Sequence, residues 1–222
     1  MHQSVEKLSL LKNKVNEIIS EKKLKNLPEI IVVTKKFSLD NITPLLKSGH
    51  LHFGENKVQE AEAKWLELKK IYKDIKLHMI GKLQTNKVKK AVMIFDYIHS
   101  LDNSKLALKI SQIQKELNKK CKIFIQVNIG NEDQKSGISL NDLKTFYNYC
   151  SADLSLDIIG LMCLPPASPN PEKYFQLLQK LSIDINLNNL SMGMSADYKY
   201  AIENGSTFLR LGTAVLGDRD IN

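Results

Sequence analysis

The chain has 222 residues, of which 43% are hydrophobic and 25% are charged, a composition typical of a globular protein and not of a disordered one. Its three cysteines form no Cys-x-x-Cys pair, so we predict neither a disulfide framework nor a structural zinc site. The formal net charge is +8, but only Arg210 and Arg219 are arginines and the lysines are scattered among glutamates, which argues against specific nucleic-acid recognition.

The chain opens with an amphipathic segment, MHQSVEKLSLLKNKVNEIIS, whose apolar residues recur at three-and-four spacing. Charges interrupt this segment, so it lacks the apolar core of a signal peptide. No stretch of the chain approaches the ~18 apolar residues of a membrane span. We therefore predict a leading helix over about residues 3 to 25, in a cytoplasmic protein that does not contact membranes.

Eight short apolar runs follow, each closed by polar or glycine residues and separated by helix-like segments. The runs cover residues 29 to 35, 51 to 55, 77 to 82, 96 to 102, 122 to 130, 156 to 164, 190 to 195 and 208 to 213. This alternation predicts parallel strands joined by right-handed crossovers, in a closed barrel or an open doubly wound sheet. The count of eight favours an α/β (β/α)8 TIM barrel, and no linker divides it, so we predict one domain over residues 1–222.

The first run ends at a lysine. Ile31, Val33 and Lys35 would share one face of the strand, which would carry the Lys35 amine to the mouth of the barrel. A partly desolvated amine deprotonates more readily and can form an imine with an aldehyde. The alternative is a lysine that simply extends into water.

The loops after the last two runs are rich in glycine and hydroxyl residues, as GMSADYKYAIENG (193 to 205) and LGTAVLGDR (211 to 219). Loops after strands seven and eight form the recurring phosphate site of these barrels. We expect Ser195 to be the N-cap of the next helix, with Gly212 and Thr213 supplying backbone N–H groups and a hydroxyl from the other loop.

Arg210 lies within an otherwise apolar strand, FLRLG, and a buried guanidinium needs acceptors. It would serve either a ligand or a structural ion pair inside the barrel. An aldehyde-capturing lysine, a phosphate site and an inward arginine together indicate pyridoxal 5′-phosphate. An arginine beside the pyridine nitrogen disfavours a proton there and makes the ring a poorer electron sink.

From about residue 5 to 219 the chain resembles the pyridoxal phosphate homeostasis protein family, stand-alone relatives of the barrel domain of bacterial alanine racemase. The resemblance is carried by VVTK, HFGENKVQEA, HMIGKLQTNK, QVNIGNEDQKSG, GLMCLP, LSMGMSADYKYAI and RLGTAVLGDR. It implies a TIM barrel with a leading helix and pyridoxal 5′-phosphate held as an imine on Lys35. The implied cofactor-binding residues are Lys35, Asn56, His78, Met194, Ser195, Arg210, Gly212 and Thr213.

Some of these residues have plainer readings. His78 can equally be a hydrogen-bonded structural imidazole, and Lys135 is either a second amine near the site or a solvated loop residue. His50 and His52 lie two apart, but no third ligand is visible, so no metal site is predicted.

Two functions remain open. The family resemblance implies a cofactor carrier with no established reaction, which acts as a monomer and meets apo forms of pyridoxal phosphate enzymes transiently. The alternative is an amino-acid racemase, which needs an acid and a base on opposite faces of the substrate carbon. Racemases take the second group from an added β domain, and we expect none here because the sequence ends at Asn222.

Overall fold

The structure, a computed structural model, describes residues 2–132, 134–168 and 170–217. Eight parallel strands close into a barrel in chain order, with the last strand paired to the first. The strands are β1 Glu29–Val33, β2 His52–Glu55, β3 Lys76–Met79, β4 Tyr97–Leu101, β5 Lys122–Val127, β6 Ile158–Cys163, β7 Asn189–Ser191 and β8 Phe208–Leu211. The predicted (β/α)8 barrel is confirmed.

Helices surround this barrel and connect its strands. They are α1 Gln3–Glu21, α2 Leu39–Lys47, α3 Val58–Ile71, α4 Val88–Ile94, α5 Ser104–Leu117, α6 Leu143–Asn148, α7 Glu172–Asp184, α8 Tyr198–Glu203 and α9 Thr213–Leu216. A 3-10 turn, Thr85–Lys87, precedes α4, and a π-helical turn, Tyr149–Asp153, follows α6. Within the described ranges, no helix has both the length and the apolar character that crossing a bilayer requires.

The leading helix is confirmed, but it ends at Glu21 and not near residue 25. Lys23 adopts a left-handed conformation with φ 51°, and the N–H of Leu24 returns to the carbonyl oxygen of Ile19. This geometry closes a helix because the left-handed residue turns the chain away from the helix axis. The helix then packs against α2, α8 and α9.

Most predicted runs continue past the carboxyl end of the observed strand. The first run, for example, was expected to reach residue 35 but its strand ends at Val33, and the seventh was expected to reach residue 195 but ends at Ser191. The extra residues leave the ladder and form loops at the mouth of the barrel. The mouth is where ligand sites of this fold are built.

The apolar core has two layers. The larger layer lies between the strands and the surrounding helices and includes Trp65, Phe95 and Phe175. The smaller layer fills the barrel interior and consists of Ile31, Tyr97, Phe124, Met162 and Phe208. Strands buried on both faces explain why the sequence shows apolar runs and not strict alternation.

Candidate functional site

Lys35 lies in the turn after β1, two residues beyond the end of the strand, and is half-buried. The prediction that it shares a strand face with Val33 was therefore wrong, since a turn presents it. The next residue, Lys36, has a φ of 66°, which is uncommon for a side chain other than glycine. Its N–H donates to the Glu60 carboxylate on α3, so α3 supports the turn that carries Lys35.

A buried network of hydrogen bonds and one ion pair, centred on Glu55, supports the same turn. Lys64 Nζ on α3 donates to the Thr34 carbonyl oxygen (2.8 Å) and forms an ion pair with Glu55 Oε1 (2.7 Å). The same carboxylate oxygen accepts from Thr34 Oγ1 (2.7 Å) and from Trp65 Nε1 (3.1 Å). Glu55 is fully buried, so its charge needs these partners, and they hold the residue before Lys35 in place.

The loops after β7 and β8 meet. Ser195 Oγ accepts a hydrogen bond from the backbone N–H of Ala214 in the first turn of α9 (3.2 Å). Thr213 begins α9 and is exposed, while Ser195 and Gly212 are half-buried. The structure thus brings together the three residues predicted for the phosphate. Asp218 and Arg219, at the end of the predicted closing loop, lie outside the described residues.

The prediction that Ser195 is the N-cap of the following helix was wrong. The N-cap of α8 is Asp197, and its carboxylate accepts from the N–H of Met194 (2.6 Å). The Asp197 carboxylate therefore bonds a backbone N–H within the turn at 194 to 197. The Ser195 hydroxyl faces the β8 loop instead. Met194 lies on this turn with its side chain exposed.

A small side chain could be accommodated at Gly212 without a clash. Its φ is −106°, and an added Cβ would meet only Val33, at an ordinary contact distance of 3.6 Å. Gly193 is different, because its φ is +91° and an added Cβ would lie 2.6 Å from the Cβ of Ala201. The fold itself therefore requires glycine at 193, whereas at 212 glycine leaves a small cradle.

These loops and the lysine turn lie side by side. The last strand pairs with β1 through Ile31↔Arg210 and Val32↔Leu211, and β7 pairs with β8. The carboxyl ends of β7, β8 and β1 are consequently neighbours. Ser195, Gly212 and Lys35 follow those three ends.

Arg210 is buried inside the barrel, 4% exposed. Its Nη1 donates to Ser191 Oγ (2.7 Å) and its Nη2 to the Cys163 carbonyl oxygen (2.8 Å). Of the alternatives considered for this arginine, an ion pair with a carboxylate is not found among the described residues. Its two hydrogen-bond partners, a hydroxyl and a backbone carbonyl, are neutral, and the Asp197 carboxylate acts on the guanidinium from a distance.

His78 is fully buried in the barrel interior and stacks on Tyr97, with ring centroids 4.2 Å apart. Both of its ring nitrogens are hydrogen-bonded to other histidines, Nδ1 to His99 (2.9 Å) and Nε2 to His52 (3.0 Å). The structure therefore places His78 away from the open mouth.

Asn56 and Lys135 face one cavity of about 390 Å³ beside the mouth. Asn56 follows β2, and its backbone lies against Gly81, where an added Cβ would approach the Asn56 carbonyl oxygen to 2.3 Å. Lys135 forms an ion pair with Glu132 (2.6 Å) in the loop after β5. Lys135 thus shares a cavity with Asn56, and its contact with the cofactor stays a prediction.

Sequence reasoning missed His99, Ser191 and Lys64. His99 and Ser191 are fully buried polar residues on strands, and period-two placement beside Tyr97 could have assigned His99 to the barrel interior. No local signal marks Lys64, because its partners Thr34 and Phe37 are 30 and 27 residues away in the chain.

The fold is a closed parallel barrel, and one mouth of it carries a lysine turn, a paired glycine and hydroxyl loop and a buried arginine. This combination defines the class of barrel found in pyridoxal phosphate proteins of the alanine racemase type. The sequence profile described as alanine racemase, N-terminal domain, matches residues 9–220. Together with the relatives below, this match shows that the chain belongs to the pyridoxal phosphate homeostasis protein family.

Several relatives carry that family name. The protein of Synechocystis is 38% identical over 199 residues, covering 86% of this chain and 91% of the relative. The protein of Aquifex aeolicus is 36% identical over 203 residues, covering 87% and 88%. Among solved structures, PipY of Synechococcus elongatus with pyridoxal phosphate bound is 32% identical, with a TM-score of 0.86, covering 97% of this chain and 100% of PipY.

Proposed function

We propose that this chain binds pyridoxal 5′-phosphate at the mouth of its barrel and serves the homeostasis of that cofactor. The observation that carries the proposal is the adjacency of three strand ends, which brings the Lys35 turn beside the Ser195 and Gly212 loops. The PipY structure with the cofactor bound and the names of the relatives support the same ligand.

The residues present fit the cofactor. The Gly212 cradle and the hydroxyls of Ser195 and Thr213 suit a phosphate, whose oxygens accept hydrogen bonds from hydroxyl and backbone N–H groups. Arg210 can only donate, which suits the lone pair of an unprotonated pyridine nitrogen. Asn56 and Met194 follow the carboxyl ends of β2 and β7, at the same end of the barrel.

When bound, the cofactor supplies an aldehyde that condenses with amines and a ring that can withdraw electrons. Lys35 would supply the amine, and the bonds of Lys64 to Glu55 and to the Thr34 carbonyl oxygen hold the backbone just before it. Arg210, which can only donate, would disfavour a proton on the ring nitrogen and so weaken electron withdrawal.

We further propose that the protein is a non-catalytic carrier, which works as a monomer and passes the cofactor to apo enzymes in transient contacts. The relatives named as homeostasis proteins match over most of their own length, which supports a carrier role for the barrel. Incubation with L-alanine and other amino acids should give no steady racemisation. Sustained turnover would favour the racemase alternative, and light scattering would reveal a stable oligomer.

The test of the binding site is reduction with borohydride in the presence of the cofactor, followed by peptide mass mapping. We expect the cofactor mass on the peptide that contains Lys35, and loss of both the label and the visible absorption in Lys35→Ala. The matched control is Lys36→Gly, which alters the neighbouring lysine while preserving its left-handed backbone. Labelling that persists in Lys35→Ala at the same level would overturn the assignment.

A further inference from the structure

A continuous chain of hydrogen bonds crosses the barrel interior from one end to the other. It begins at Arg210 near the carboxyl ends of the strands and is hydrogen-bonded as far as His52, whose ring then faces Glu29, the first residue of β1, at an ion-pair distance of 3.6 Å. Between them lie, in order, Ser191, His99, His78 and His52. We call the three histidines with Ser191 the histidine relay.

The direction of the relay follows from its first member. A guanidinium has no acceptor, so Ser191 Oγ must accept from Arg210 Nη1 (2.7 Å). The hydroxyl proton of Ser191 then has one acceptor among the described residues, Nδ1 of His99 at 2.8 Å. His99 Nδ1 is therefore unprotonated, and the proton of the neutral ring lies on Nε2.

The same reasoning passes down the relay. His99 Nε2–H donates to His78 Nδ1 (2.9 Å), so His78 in turn carries its proton on Nε2. His78 Nε2–H donates to His52 Nδ1 (3.0 Å), and the Nε2 of His52 faces Glu29 Oε2 at 3.6 Å. With the Ser191 hydroxyl donating to His99, one donor and one acceptor meet at each of these hydrogen bonds when all three rings carry the Nε2–H tautomer.

A charged imidazole does not fit this arrangement. An imidazolium donates from both nitrogens, so a proton added to His78 would set two N–H groups against each other at His99. Burial lowers the pKa of His78 and of His99 well below the ordinary value, and the neighbouring Arg210 lowers that of His99 further. Geometry and burial therefore agree on neutral rings.

The uniform tautomer has an electrostatic consequence for Arg210. In each Nε2–H ring the negative end of the dipole is Nδ1, and in the relay each Nδ1 points toward Arg210. Arg210 is a buried cation that forms no ion pair within the described part of the chain; the Asp197 carboxylate acts on it from a distance, and its direct compensation comes from aligned dipoles and the Cys163 carbonyl.

We propose that Ser191, His99, His78 and His52 are positioning residues that orient Arg210 toward the cofactor through a relay of fixed direction. The relay reaches solvent only at its far end, where the side chains of His52 and Glu29 are 16% and 58% exposed. The orientation of Arg210 is therefore anchored at the face of the barrel opposite the cofactor. This inference rests on the proposed function, in which Arg210 meets the ring nitrogen.

The experiment is side-chain nitrogen NMR on the cofactor-free protein and on the His52→Phe variant. In the unmodified protein we expect the Nε2–H tautomer at His52, His78 and His99 near neutral pH. Phe keeps a ring in place but removes the acceptor of His78 Nε2–H, so the single tautomer should be lost at His78 and His99, and the guanidinium signals of Arg210 should shift. His52→Gln, which offers an acceptor again, should restore them in part.

Two controls separate a loss of the relay from a general disturbance of the fold. Arg219 provides an internal reference for the Arg210 signals, and His50→Phe changes a buried histidine that bonds the backbone carbonyl oxygen of His52 and not a side chain of the relay. A different tautomer or an imidazolium in the unmodified protein, or Arg210 signals that ignore His52→Phe, would overturn the relay. Because these readouts need no cofactor, a failure of cofactor binding would instead count against the proposed function.

With cofactor added, His52→Phe should also change the absorption of the bound form, whereas His50→Phe should not. An unchanged absorption beside a disrupted relay would overturn the link from the relay to the cofactor.

Discussion

Lys64 Nζ lies 2.7 Å from Glu55 Oε1, and this ion pair between α3 and the end of β2 is almost wholly shielded from water. The side chain of Lys64 is 12% exposed and that of Glu55 is not exposed at all. The pair lies directly under the turn that carries Lys35, because Lys64 also binds the Thr34 carbonyl oxygen. The stability of the barrel and the position of its candidate reactive amine are thereby linked.

Lys64→Met should destabilise the protein by about 3 kcal/mol, since removal of one partner leaves the buried Glu55 charge uncompensated. At this chain length that corresponds to a fall in Tm of roughly 6–12 °C, measurable by calorimetry. The control is Lys70→Met, which breaks an ion pair with Glu67 whose side chains are 69% and 78% exposed. It should cost no more than about 1 kcal/mol. Equal losses in both variants would contradict the role given to the buried pair.

Gly212→Ala should leave the melting temperature nearly unchanged but weaken retention of pyridoxal phosphate, because the new methyl group occupies the cradle proposed for the phosphate. Gly193→Ala should instead destabilise the fold, since it strains a φ of +91° and crowds Ala201. Thermal melts and dialysis of the loaded protein measure the two effects. Full retention in Gly212→Ala would speak against the phosphate position.

Ser195→Ala combined with Thr213→Val removes both hydroxyls proposed to bind the phosphate. A hydrogen bond to a charged group contributes about 1.5 kcal/mol or more, so affinity should fall at least roughly tenfold. Thr43→Val is the control, because the Thr43 hydroxyl bonds Leu39 within α2, outside the site. Titration followed by absorption gives the affinities, and an unchanged value for the double variant would refute the contact.

The buried histidines make stability depend on pH. Burial, helped by Lys12, lowers the pKa of His50 from 6.5 to about 4, and burial also lowers the pKa values of His52, His78 and His99. Below about pH 6.5 these histidines therefore bind protons in the unfolded chain but not in the folded chain. The free energy of unfolding should fall as the pH falls, by up to about 1.4 kcal/mol per pH unit for each histidine.

Urea titrations between about pH 7 and about pH 5 measure this slope. His50→Phe should reduce it by the contribution of one proton, because Phe has no group to protonate. A slope that stays the same in His50→Phe, or stability that does not change over this range, would show that these imidazoles are protonated in the folded state.

The sequence alone was enough to predict the eight strands, the barrel, the places of Lys35, Ser195 and Gly212 after strand ends and that of Arg210 within the last strand. This worked because strands buried on both faces need continuous apolar runs, and because loops are confined to the ends of those runs. Exact ends were harder to predict. The predicted run extends to Lys35 although the strand ends at Val33, and Asp197, not Ser195, is the N-cap of α8.

Only the tertiary structure decided which polar residues meet inside the barrel. His99 and Ser191 are 92 residues apart in the chain, and their contact exists because closure of the barrel brings β4 and β7 to face each other across its interior. Lys64 is likewise brought to Thr34 only when α3 packs on the barrel. Periodicity reports which face of an element is buried, but the partner of each buried polar group is chosen by packing between elements far apart in the chain.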